Sequence, residues 1–156
     1  MAHRVKLALL LAPAALFAAT ASAQQGGAKF SATLSGANEV PPTTETATGS
    51  AVITVNAGQG QVCWEITTSG FDPATESITG AHIHSGLAGA NGGIVVHIAA
   101  TLNGTNKACT SVVGGGNNTA LSRDLLDAIR KSPQAFYVNV HTNIFPNGAI
   151  RGQLSK

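Results

Sequence analysis

This chain has little charge: Asp, Glu, Lys and Arg make up 10% of it. Nucleic-acid binding needs a positive field built from clustered Lys and Arg, and the charges here are scattered. Setting aside Arg4 and Lys6 at the N-terminus, the nine Lys and Arg fall to seven, against seven Asp and Glu. The rest of the chain is balanced, and nucleic acid is excluded as a partner. Aromatic residues are 4%, with a single Trp, so no platform exists for stacking sugars; Trp64 lies in a strand-like segment and reads as core. The one methionine is Met1, which removes the usual axial ligand of a blue-copper site. No H-E-x-x-H, G-x-S-x-G or P-loop spacing occurs, so those metalloprotease, hydrolase and phosphate-binding chemistries are excluded. His84-Ser85 sets a hydroxyl beside an imidazole, but adjacent strand residues face opposite ways and cannot form a nucleophile–base pair.

Long apolar runs are confined to the start. A basic beginning (His3, Arg4, Lys6), an apolar run over residues 7–19 and the small residues Ala21-Ser22-Ala23 form the three-part pattern of a secretory signal peptide, predicted over residues 1–23. The run of about 13 residues is shorter than the roughly 20 that span a bilayer, so no membrane span is expected after cleavage. Residues 24–29 read as a flexible leader and 30–156 as one domain. The two cysteines, Cys63 and Cys109, lie in strand-like segments. In an exported chain an even count favours a disulfide over two free thiols or two metal ligands. The predicted location is secreted or periplasmic.

From Phe30 onward, short alternations of apolar and polar residues recur between turn signals. Phe30, Ala32 and Leu34 form the first, Ala51, Ile53 and Val55 the second, Val62, Trp64 and Ile66 the third. Residues 78–84, 93–100, 107–113, 135–142 and 149–154 continue the series, separated by turns such as Asn91-Gly92-Gly93, Asn103-Gly104 and Pro146-Asn147-Gly148. About eight such strands describe an all-β Greek-key sandwich or barrel. Leu121, Leu125, Leu126 and Ile129 depart from the pattern at helical spacing, with Ser122 or Thr119 as cap and Ser132-Pro133 as stop. This predicts one short helix over residues 122–131, before the penultimate strand.

Three stretches carry a family resemblance. They are residues 30–42 (FSATLSGANEVPP), then Ala81-His82-Ile83-His84-Ser85-Gly86 with Asn91-Gly92-Gly93, and last residues 137–142 (YVNVHT) with 146–154 (PNGAIRGQL). In this order they resemble the CHRD (chordin-type) domain over nearly the whole of residues 30–156. The resemblance implies an extracytoplasmic β-sandwich, immunoglobulin-like or Cu/Zn superoxide dismutase-like in outline. Ala149 departs from the acidic residue that the family often carries before Ile-Arg-Gly. Within these motifs Glu39 and Arg151 are a candidate structural ion pair, tying the Pro41-Pro42 corner to the last strand.

Of the five histidines, the four besides His3 are His82, His84, His97 and His141, all in predicted strands. The i, i+2 spacing of His82 and His84 aims both rings to one side of a sheet. Imidazole nitrogens suit copper and zinc. Copper is available mainly outside the cytoplasm, so the predicted cofactor is one copper ion held by His82, His84, His97 and His141, with zinc second. Tyr137 and Asn139 share a strand face with His141 and are candidates to support it. A site built on an N-terminal histidine is excluded, because cleavage would expose Gln24. By analogy, the set is similar to that of Cu/Zn superoxide dismutases, which join a His-x-His pair to later strand histidines. Three functions follow: an exported copper-binding protein for buffering, delivery or tolerance; a metal-free module for adhesion or for binding an extracellular or periplasmic protein; and a copper-only superoxide dismutase-like enzyme.

Overall fold

The computed structural model describes residues 27–112 and 121–156. The predicted signal peptide, most of the predicted leader, the Thr119 cap and the end of the predicted 107–113 strand lie outside these residues. The strands are β1 (Ala28–Ser35), β2 (Thr48–Asn56), β3 (Gln61–Ser69), β4 (Ile78–Ser85), β5 (Ile94–Ile98), β6 (Thr105–Ser111), β7 (Phe136–Thr142) and β8 (Ile150–Gln153). They form one antiparallel sheet in the order β5-β4-β7-β8-β1-β2-β3-β6, curled into a nearly closed barrel. Of the predicted sandwich and barrel, the barrel is observed. β1 starts inside the predicted leader, since Ala28 and Lys29 already pair with Val55 and Thr54 of β2.

The alternation read in the sequence is the reason for closure. Phe30, Leu34, Ile53, Val55, Val62, Ile66, Ile83, Val96, Val138, Val140 and Ile150 all point inward and are fully or almost fully buried. Each such side chain contributes roughly 1.5–3 kcal/mol relative to exposure. Trp64 joins this core, and its indole N–H donates to Asn106 Oδ1 at 2.9 Å. The helix α1 (Arg123–Lys131) is capped by Ser122, whose hydroxyl accepts from Leu125 N at 3.1 Å. It buries Leu126 and Ile129, adding them to the barrel core. Among the described residues no helix is long and apolar enough to cross a membrane.

The outward faces of the two barrel walls differ. On the β1-β2-β3-β6 wall, Cys63 stands directly opposite Cys109, and the two are joined by a disulfide with Cα atoms 3.9 Å apart. Lys107 and Glu65 make an exposed ion pair beside it at 2.9 Å. On the β5-β4-β7-β8 wall the outward residues His84, Tyr137, Asn139 and Arg151 are buried. Segments 36–43, 86–93 and 143–149 reach across them, through contacts described below.

Candidate metal centre

Register places the histidines. β4 and β5 pair His82 with His97; β4 and β7 pair His82 with Asn139, His84 with Tyr137 and Gly80 with His141. Because Gly80 has no side chain, the His82 ring can lean toward His141: a Cβ at position 80 would sit 3.1 Å from His82 Cε1. The ring centroids of His82 and His141 are 4.9 Å apart, those of His82 and His84 5.5 Å, and those of His84 and His141 5.7 Å. One ring nitrogen from each of His82, His84 and His141 lies within 4.8 Å of the others.

The proton positions follow from the partners. His84 Nδ1 is 2.9 Å from the Gly92 carbonyl oxygen and His141 Nδ1 is 3.2 Å from that of Pro146. A carbonyl only accepts, so both Nδ1 atoms carry the proton and both Nε2 atoms keep a free lone pair. These two Nε2 atoms and His82 Nδ1 are buried without a hydrogen-bond partner. Orphaned buried polar atoms are costly, and three on neighbouring imidazoles make a group that could hold a metal ion. Burial, reinforced by His141, His84 and His97, pushes His82 down to about 4. Burial also lowers His84, with Arg151 and His97 acting in the same direction against the Gly92 carbonyl. It lowers His141 against the Pro146 carbonyl. All three rings are therefore neutral at neutral pH, the form in which imidazole binds metal.

His97 is placed differently from the other three. It is exposed and stands edge-on to His82 at 4.9 Å, beside the convergent trio instead of within it. Tyr137 and Asn139 also serve other partners than the one predicted for them. Tyr137 stacks on His84, at 4.9 Å and 10° between planes, and the Arg151 guanidinium lies over the Tyr137 ring at 3.5 Å. Asn139 donates to Glu39 Oε2 at 3.5 Å. His141 is instead oriented by the carbonyl of Pro146.

The predicted Glu39–Arg151 pair is corrected as well. Both side chains are buried, but among the described residues the salt bridges are Lys107–Glu65 and Arg130–Asp127. Arg151 donates to Ala90 O at 2.7 Å, Asn91 Oδ1 at 3.1 Å and Leu87 O at 3.2 Å. Asn91 Nδ2 in turn donates to Val40 O at 2.8 Å. The Pro41-Pro42 corner is thus tied to β8 through Asn91. Guanidinium geometry explains the choice, since several fixed N–H groups are best met by several loop carbonyls.

In the sequence Asn91-Gly92-Gly93 stands out as a turn and as part of a family motif, but not for its role at the site. The Gly92 carbonyl fixes His84, while its N–H donates to the Tyr137 hydroxyl at 3.2 Å. A Cβ on Gly92 would overlap the Ser85 carbonyl oxygen, so only glycine brings this peptide so close. Pro146, in the turn Pro146-Asn147-Gly148, is missed too, because its contribution is a backbone oxygen.

A family model described as the CHRD domain matches residues 30–154. No curated protein and no solved structure matches the chain.

Proposed function

The chain belongs to the CHRD domain family, and from that premise we propose that it is an exported copper-binding protein that buffers, delivers or detoxifies the metal. His82, His84 and His141 are its principal ligands and His97 stands ready as a fourth. The observation that carries this reading is the set of three buried, partnerless imidazole nitrogens, two with their tautomers fixed by backbone carbonyls. Nitrogens bound about 2 Å from one ion lie roughly 3–4 Å apart. The present spacing of up to 4.8 Å needs a contraction of about 1 Å, within the reach of χ rotations. An all-imidazole set suits copper and zinc; export, supported by the Cys63–Cys109 disulfide, favours copper.

The test is copper titration of the purified protein, followed by spin resonance and thermal shift, beside an H82A/H84A double variant. One tight equivalent with nitrogen hyperfine coupling, absent from the variant, is the expected result. Superoxide turnover by the loaded protein would extend the reading to a copper-only dismutase. No stoichiometric binding, or binding unchanged in the variant, overturns it and leaves a metal-free interaction module.

A further inference from the structure

Two more buried oxygens in the same wall have no partner, and the histidine centre does not account for them: Glu39 Oε1 and Asn139 Oδ1. The side chains that carry them already meet, through Asn139 Nδ2 and Glu39 Oε2 at 3.5 Å. Both residues are almost wholly enclosed, at 5% and 3% exposure. Gly148 closes the site from above. A Cβ there would lie 2.6 Å from Glu39 Oε2 and 2.7 Å from both Glu39 Oε1 and Asn139 Nδ2. The carboxyl and amide ends therefore crowd one small space, and the two oxygens left over are both acceptors. An ionised carboxylate offers no hydrogen to either. A proton on the carboxyl is the donor that such a pair of acceptors lacks.

We propose that Glu39 is a neutral acid in the folded protein, its Oε1–H donating to Asn139 Oδ1 while Asn139 Nδ2–H donates to Oε2, so that acid and amide form a closed, proton-dependent lock. The groups facing Glu39 fit this assignment. Asn139 from β7 and Gly148 from the turn are uncharged. Arg151 from β8 is the charged group acting on Glu39, and its pull toward ionisation is outweighed by burial, which raises Glu39 to about 7. The lock seats the 145–148 turn, whose Pro146 carbonyl orients His141. Gly148 N donates to Phe145 O at 3.1 Å within that turn. Proton loss at Glu39 thus loosens the turn that holds one histidine. This holds whether or not the centre binds copper.

The experiment compares wild type with E39Q, in which the new amide N–H replaces the acid O–H without needing a proton. Infrared spectra at pH 6 are expected to show a protonated-carboxyl band in wild type that E39Q lacks. Equilibrium unfolding between pH 4.5 and 8 is expected to show wild type losing stability relative to E39Q as pH rises from 4.5 to about 7, by on the order of 100-fold in the folding constant, then levelling. Titration of the histidines is common to both proteins and cancels in this difference. Should E39Q fail to fold, the same band in wild type labelled with carbon-13 glutamate, followed against pH, decides the matter. Absence of the band, or a stability gap that does not change with pH, overturns the proposal.

Discussion

The two walls of this barrel share one core and one strand pattern, yet they hold their outer faces by different means. The β3-β6 side is held by covalent chemistry: the Cys63–Cys109 bond clamps an edge strand, and the Lys107–Glu65 pair beside it stays in water, at 64% and 48% exposure. The β4-β7-β8 side uses buried polar groups, each answered by a loop. His84 meets Gly92, His141 meets Pro146 and Arg151 meets residues 87, 90 and 91. The contrast teaches that a disulfide stabilises without specifying much around it. A buried polar layer specifies the position of every group in it.

Breaking the roofed wall should have the largest effect. Gly92→Ala forces a methyl group into the Ser85 carbonyl and is expected to cost more than about 4 kcal/mol. Gly58→Ala, whose new Cβ would meet Asn56 Oδ1 at an ordinary 3.5 Å, should change stability by less than about 1 kcal/mol. Chemical denaturation of both variants measures the difference. The Cys63→Ser/Cys109→Ser pair comes next. Opening a link across a sequence separation of 46 is expected to cost about 4 kcal/mol in the chain-entropy model. Copper stoichiometry at a temperature where this variant is folded should be unchanged, because the bond lies on the other wall; loss of binding would erase the separation between them.

Arg151→Lys keeps the charge but loses the planar fork and the stack on Tyr137, and should cost about 2–3 kcal/mol. Thermal melts give that cost, and nitrogen-15 spectra of His84 should show a mixture of tautomers where the parent has one. A smaller effect comes from acid. The three central histidines are held below the usual 6.5, so the unfolded chain takes up protons first. Their contribution is full above pH 6.5 and is lost as pH falls, for His82 toward about 4. For His82 the loss should be on the order of 1–2 kcal/mol after solvent screening. Melts across that window should show wild type losing stability relative to H82Q as pH falls. Lys107→Ala is the smallest, expected within about 0.5 kcal/mol, and measurable only by careful denaturant titration.

The barrel was legible because its inward residues repeat with period two. Phe30-Ala32-Leu34 and Val62-Trp64-Ile66 announce their own faces, and Cys63 beside Trp64 announces the outer one. His82 and His84 were legible by the same rule. Three things were not. The separation of His97 from the trio depends on ring orientation, which spacing does not encode. The Glu39–Arg151 pairing looked natural by charge, but loop carbonyls at 87 and 90 suit the guanidinium better. The hydrogen bonds that set the histidine tautomers come from the backbones of Gly92 and Pro146, and a backbone oxygen leaves no mark on a sequence.

The neighbours of β8 also set an order of events. Glu39 comes from the segment after β1, His82 and His84 from β4, Asn139 and His141 from β7, and Arg151 from β8, which lies between β7 and β1. A chain that emerges from its N-terminus can form the β1-β2-β3 meander early, since those contacts are local. The histidine wall has to wait for its final strand. During synthesis, His82 and His84 wait as two loose side chains of an unfinished sheet. The orphaned nitrogens come together only when β7, which begins at residue 136, pairs with β4, so the trio is timed by the arrival of a strand near the end of the chain.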